Sequence, residues 1–277
     1  LLANLERALN CSTKQEQQEL LNIVIVGGGA TGIEVAGILS EMKKFVLPND
    51  YPDMPSSLMH IYLIEAGPRL LAGMSEESSA HAEQFLREMG VNILLNKRVV
   101  DYRDHKVVLE DGTEIATRTF IWVSGVTGVT IGNLDASLIG RGGRIKVDSF
   151  NRVEGMNNVF AIGDQCIQLA DENYPNGHPQ LAQVAIQQGE LLAKNLVRME
   201  KGREMKPFHY RNLGSMATVG RNRAVAEFSK VKMQGWFAWV MWLVVHLRSI
   251  LGVRNKVIVL LNWVWNYFTY DQSMRMI

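Results

Sequence analysis

Residues 22–34 read NIVIVGGGATGIE, and that run constrains the fold more than any other stretch. Ile23 to Val26 is an uninterrupted β-branched stretch, the pattern of a parallel strand buried on both faces. Gly27-x-Gly29-x-x-Gly32 follows at once, and a helical pattern follows that. Gly27 permits a tight turn. Gly29 lets a pyrophosphate approach the backbone, and Gly32 lets the helix lie close to the strand. Gly28 belongs to the same cradle. The helix N-terminus offers free N–H groups and a positive dipole end to phosphates. An acidic partner is present too: HIYLIEAG (60–67) predicts a second strand ending in Glu65, placed to accept hydrogen bonds from a ribose 2′-hydroxyl. Its distance from Gly32 exceeds the usual ~20 residues. The insertion PNDYPDMP (48–55) accounts for the excess as a loop after a long first helix. An acid at position 65 favours NADH over NADPH; Arg69, close by, argues the other way.

From there the order is strand, helix, strand, helix, strand, at 22–26, 30–46, 60–65, 75–89 and 91–95. Such alternation predicts an α/β fold with a parallel sheet and right-handed crossovers. A small antiparallel insertion is expected next. It runs from 99–102 and 106–109 through Glu110-Asp111-Gly112 to 113–117, since Asp-Gly is a strong hairpin turn. Residues 120–123 return as a buried strand closing in Ser124-Gly125. Ligands collect at such strand ends, and a small residue there lets a nicotinamide pass close to backbone. Further strands are expected at 144–148 and 159–162, and a helix from about Pro179 to Met199. Residues 1–20 read as a helical lead-in with Leu2, Leu5, Leu9 and Leu20 on its apolar side, and 202–215 as a connector.

The formal charge of +1 hides an asymmetry. Residues 1–202 carry 18 basic and 25 acidic side chains, whereas 203–277 carry 11 and 3. Trp236, Trp239, Trp242, Trp263 and Trp265 all fall in that basic tail. Its apolar runs are nearly uncharged, which points to a membrane surface and away from nucleic acid. No apolar run reaches the ~20 residues needed to span a bilayer. Cys11 and Cys166, without a C-x-x-C, indicate neither a disulfide framework nor a zinc site, and suggest a reducing compartment. His81, His105, His209 and His246 are scattered, so no metal is expected.

VFAIGD (159–164) is the second informative motif. An apolar strand ending in Gly163-Asp164 brings Asp164 to the hydroxyls of a polyol such as a flavin ribitol, and Gly163 allows close approach. In HPQLAQVAIQQG (178–189), Pro179 suits a helix start. Gln183 and Gln187 are four apart and share a face, where their amides can donate to a carbonyl without burying a charge. The plain alternative is two solvated glutamines. Glu34, in the first turn after Gly32, complements the helix dipole. Cys166 reads as a buried, inert thiol.

Several stretches, in order from about residue 20 to the end, resemble a known family: GGGATGIEVAG (27–37), LIEAGPRLL (63–71), IWVSGV (121–126), VFAIGD (159–164), AQVAIQQG (182–189), GSMATVGRNRAV (214–225) and LLNWVWNYFTY (260–270). The family is that of the type II NADH:quinone oxidoreductases, single-subunit, non-pumping respiratory flavoproteins of the pyridine nucleotide-disulfide oxidoreductase superfamily. The resemblance implies FAD and NADH as cofactors and a membrane quinone as acceptor. It places Glu34 near the nicotinamide, and Gln183 and Gln187 at the quinone beside the flavin. It divides the chain into an NADH-binding Rossmann-like domain (1–126), the remainder of an FAD-binding domain (127–202) and a membrane-anchoring helical region (203–277). Members of this family carry an earlier G-x-G-x-x-G domain for the ADP half of FAD. Here GRGGR (140–144) has neither the strand before nor the helix after. The chain is therefore expected to lack a preceding segment of roughly one hundred residues or more, about one small domain, and not to hold FAD by itself. The competing readings are a sulfide:quinone reductase, which wants a cysteine pair, a soluble NADH reductase, which has no need of the Trp-rich tail, and a membrane-binding module without flavin.

In the tail, Trp236 to Leu251 is apolar almost all round, with Lys230 and Lys232 before it and Arg248, Arg254 and Lys256 following its apolar part. Asn255, Asn262, Asn266 and Thr269 recur at helical spacing as one polar stripe. Two amphipathic helices lying in the interface, with Trp and Tyr at headgroup depth and basic residues on anionic lipid, fit this pattern. The expected location is peripheral, on the cytoplasmic face of a bacterial inner membrane or an equivalent organellar membrane. A buried hairpin or a homodimer interface competes, and a homodimer can coexist with membrane binding.

Overall fold

A computed structural model describes residues 1–54, 56–129, 131–229 and 231–269. Pro55 of the expected loop, Lys230 and Tyr270 lie outside the described residues, as does the side chain of Thr269. Contacts gather the chain into two units, Leu1–Ser124 with Gly214–Ile277, and Gly125–Leu213. The division at 126 and 202 followed expected ligands; the division by contact returns the C-terminal stretch to the first unit.

In the first unit the lead-in is two helices, α1 (Leu2–Leu9) and α2 (Lys14–Leu21). The Thr13 hydroxyl accepts from the Glu16 N–H and caps α2. β1 (Ile23–Val26) follows, with all four residues buried. α3 (Ala30–Glu41) leaves the glycine turn and runs through a π-helical turn (Met42–Val46) into α4 (Leu47–Asp50). The expected loop at 48 thus begins later, since Pro48 is accommodated in the first turn of α4. Then come β2 (Ile61–Ile64), α5 (Glu76–Glu88), β3 (Val91–Leu94), β4 (Val99–Arg103), β5 (Lys106–Leu109), β6 (Glu114–Ala116) and β7 (Thr119–Trp122).

β3, β2, β1 and β7 form one parallel sheet in that order. Ile23 and Ile25 pack with Ile33, Leu63 and Leu86. Val24 and Val26 point the opposite way and meet Val107 and Leu109 of the antiparallel insertion. The insertion therefore covers a sheet face that a helix covers in a doubly wound fold. Burying side chains of this size fully contributes about 1.5–3 kcal/mol each.

The second unit holds β8 (Ile145–Val147), β9 (Cys166–Gln168) and α6 (Ala182–Glu200). β8 and β9 pair in parallel, Ile145 opposite Cys166. Ile145, Val147, Val153 and Cys166 form its small core. Two expectations change here. Residues 159–162 make only an isolated bridge, Arg152 to Phe160, because 151–153 offers them no continuous ladder. α6 begins at Ala182, not Pro179. The Gln180 side chain donates to the Asp164 carbonyl and the Leu181 N–H to the Pro179 carbonyl, which holds 179–181 outside the helix.

The chain then returns to the first unit as β10 (Ser215–Thr218), β11 (Ala224–Phe228) and β12 (Val231–Gln234), an antiparallel sheet that the sequence reading did not foresee. Ala217, Val219 and Val225 join the main core. Gly37 of α3 makes that approach possible, since a Cβ there would lie 2.6 Å from the Gly220 nitrogen. α7 (Gly235–Ser249) seats Ala238 on Ala224 and Ala226. α8 (Val253–Thr269) lies beside it, with the Trp242 and Trp263 rings 6.3 Å apart. Among the described residues no helix is long and apolar enough to cross a membrane. The expected polar stripe is only partly a solvent face: Asn255 and Asn262 are exposed, whereas Asn266 is half-buried.

Candidate functional site

The turn from β1 to α3 is built by close approach. Gly27 has φ +115°, and a Cβ there would stand 2.8 Å from the Val123 carbonyl oxygen and from Ser124 Cα. A Cβ on Gly32 would lie 1.9 Å from the Gly27 oxygen. Gly29 differs: nothing lies within 4 Å of its Cβ position. Gly29 is also the N-cap of α3 and supplies no side-chain cap. The open position and the uncapped helix end coincide, as a bound phosphate requires.

Glu65, one residue past β2, organises the floor of this turn. One carboxylate oxygen accepts from the Gly28 N–H at 2.6 Å and the other from the Gly67 N–H at 2.7 Å. Each oxygen keeps a second lone-pair direction for an incoming hydroxyl. A side chain on Gly28 would strike Leu70 Cδ2 at 2.6 Å. Arg69, the cation that argued for NADPH, points elsewhere. Its guanidinium donates to the carbonyls of Met74 at 2.8 Å and Ala72 at 2.9 Å. Glu34 is half-buried in α3, and its carboxylate accepts from the Thr218 N–H at 3.3 Å. Ser124 ends the first unit's run against Gly27, and Gly125, with φ +101°, opens the second.

In the second unit Gly163 has φ +65°, and a Cβ there would press on Ala185 of α6 at 3.2 Å. Asp164 beside it is exposed. The N-cap of α6, Leu181, supplies no side-chain cap, so N–H groups at that end remain available to a ligand. Gln183 and Gln187 do share a face, but the face is occupied. Gln187 donates to the Arg211 carbonyl at 2.9 Å and accepts from the Arg211 N–H at 3.1 Å. Gln183 accepts from the Leu213 N–H at 3.1 Å. The two amides hold an extended segment against the helix.

The sequence reading passed over Gln188. It is buried, it accepts from the Gly163 N–H at 2.6 Å, and it reaches Cys166 Sγ at 3.5 Å. The available signal was its spacing: Val184 and Gln188 are four apart on the buried side of α6. Gln188→Leu strands the Gly163 N–H and should lower stability by about 1–3 kcal/mol; a denaturation curve matching wild type would exclude Gln188 as the support of this turn. Burial pushes the Cys166 thiol up, which fits an inert thiol.

Asp171 and His178 form a second unforeseen pair, both buried, 3.0 Å apart, with Tyr174, Phe208 and Tyr210 packed on the imidazole. The hydrogen bond with His178 holds the Asp171 carboxyl below its ordinary range. A depressed carboxylate stabilises the fold above its unfolded pKa, about 3.9, and the benefit is lost as pH falls through the lower folded value. Asp171→Asn should therefore flatten the acid limb of a melting-temperature profile. Parallel acid limbs would remove the pair from that role.

Residues 2–189 match the family model for pyridine nucleotide-disulphide oxidoreductases, and residues 212–270 match that of the NDH2 C-terminal domain. The chain is 34% identical over 276 residues to the type II NADH:quinone oxidoreductase NdhA of Mycobacterium tuberculosis, covering 95% of this chain and 57% of that protein. It is 32% identical over 272 residues to the internal alternative NAD(P)H-ubiquinone oxidoreductase A1 of Arabidopsis thaliana mitochondria, covering 92% and 52%. The chain thus spans little more than half the length of these relatives. The structure of NDH2 from Plasmodium falciparum in complex with NADH superposes with a TM-score of 0.86 at 20% identity, covering 97% of this chain and 70% of that one.

Proposed function

The chain belongs to the pyridine nucleotide-disulphide oxidoreductase family, in the type II NADH:quinone oxidoreductase group, and from that premise we propose that it serves electron transfer from NADH through FAD to a membrane quinone, without proton pumping. One observation carries the nucleotide half: the open Gly29 position lies at the uncapped end of α3, with Glu65 fixed beneath it. The α3 N–H groups bind the pyrophosphate, and Glu65 orients the adenosine ribose. Glu34, in the same helix, tunes the charge met by the nicotinamide end. Ser124 and Gly125 leave backbone accessible where the ring passes.

FAD, when bound, supplies the two-electron acceptor for hydride and the donor to quinone. Asp164 accepts hydrogen bonds from its ribitol, beside the close-packed Gly163. The α6 N-terminus favours negative charge on the reduced ring. Gln183 and Gln187 serve the acceptor side as positioning residues, because both already bond to 211–213. Attachment is peripheral, through α7 and α8 on anionic lipid, at the cytoplasmic face of a bacterial inner membrane or its organellar equivalent. A homodimer is compatible with that attachment.

Calorimetric titration of the whole chain with NADH and NADPH tests the nucleotide half. NADH should bind at least about tenfold more tightly, because a 2′-phosphate would meet the Glu65 carboxylate while Arg69 donates elsewhere. Equal binding of both would overturn the cofactor preference. Binding of neither would overturn the nucleotide site.

A further inference from the structure

A polar cavity of about 180 Å³ opens on the first unit, lined by Ser40, Glu41, Lys44, Glu88, Arg221 and Arg223. It shares no lining residue with the glycine turn. A single water needs about 10–15 Å³ of such space, so the cavity suits a small headgroup rather than one solvent molecule. Its carboxylates are already engaged. Glu88 is bound by Arg223 at 3.5 Å and by Gln84 at 2.9 Å, and Glu41 accepts from the Arg221 N–H. No described carboxylate lies within 4.0 Å of the exposed Lys44 ammonium, which rests over the Phe45 ring. Ser40 is 3% exposed, and neither its hydroxyl nor the Asn222 Oδ1 that also lines the cavity has a partner among the described residues. Such a buried orphan donor is costly and usually marks a missing ligand or water. Lys44 lines the cavity from within the π-helical turn Met42–Val46, a distortion often found at functional sites.

The geometry points to a binding site for the phosphate of an anionic phospholipid, held by Lys44, Arg223 and the Ser40 hydroxyl. The lipid source rests on the reading of α8 as membrane-facing. Arg221 lines the cavity and donates to the carbonyls of Asn266 at 3.0 Å and Tyr267 at 3.2 Å, at the end of α8. A headgroup in the cavity therefore lies beside the helix whose Val264, Trp265 and Phe268 are exposed and offer an apolar surface to acyl chains. Inorganic phosphate offers the same oxygens without that apolar contact.

The test uses the whole chain and lipids that are monomeric in water, followed by fluorescence or calorimetry. Dihexanoylphosphatidic acid should bind saturably, and inorganic phosphate and dihexanoylphosphatidylcholine at least about tenfold more weakly. Lys44→Ala and Ser40→Ala should each weaken that binding about tenfold, the size of one charge-assisted hydrogen bond. Ser40→Ala should melt no lower than wild type, since it removes an unpartnered hydroxyl. Equal binding of inorganic phosphate would overturn the lipid assignment. No binding of the phosphatidic acid, or binding untouched by both substitutions, would overturn the site. Vesicle flotation reads the membrane reading separately: a chain that binds the monomeric lipid but does not float keeps the site and loses that reading, and one that floats without binding loses only the site.

Discussion

Gly29→Ala should leave the melting curve within about 0.5 kcal/mol of wild type while weakening NADH binding by about 10–100-fold. Gly32→Ala should do the reverse kind of damage, lowering stability by about 3 kcal/mol or more. The two residues sit three apart in one motif, yet their surroundings differ completely. Gly29 has φ −75° and ψ −176°, which alanine adopts freely, and its Cβ position is open. A methyl there meets only the ligand. At Gly32 the methyl would stand 1.9 Å from a backbone oxygen, so α3 must move off β1. Denaturant melts paired with NADH titrations separate the outcomes. Wild-type affinity in Gly29→Ala would mean that no pyrophosphate passes there. A wild-type melt in Gly32→Ala would refute the tight turn itself.

The second large effect concerns attachment. Trp265 and Phe268 on α8 are 64% and 77% exposed, and transferring each such ring out of water contributes about 1.5–3 kcal/mol. The double substitution Trp265→Glu with Phe268→Glu should therefore lower partitioning onto anionic vesicles by about 10²–10⁴-fold. The fold should survive, because neither side chain belongs to a described core cluster. High salt should release only part of the intact protein, since screening weakens the Lys and Arg attraction and leaves apolar insertion untouched. Flotation of the double variant at wild-type levels, with unchanged circular dichroism, would show that α8 does not face the lipid.

Cutting the chain before residue 230 is a less clean test of attachment than it looks from sequence. Ala238 of α7 is buried on Ala224 and Ala226, and Arg221 grips the end of α8. Removing both helices would expose part of the first unit's own packing. Substitution on the outer face avoids that confusion.

Local chemistry made one part of the molecule legible. A β-branched run, three spaced glycines and an acid at the next strand end determine strand, turn, helix and sheet order, because each acts on its own backbone within a few residues. The Asp111-Gly112 hairpin was readable for the same reason. Tertiary structure alone decided the rest. β10–β12 carry few strong strand formers. Ala217 becomes core only because α3 arrives from far away in sequence, and Ala226 only because α7 folds back onto β11. Gln183 and Gln187 stand on one face as their spacing requires, but only packing shows that residues 211–213 occupy that face and that Gln188 supports the turn at Gly163. Sequence spacing determines which side chains share a face. What that face meets depends on distant segments, and hydrogen bonds and buried area are satisfied only when those segments arrive.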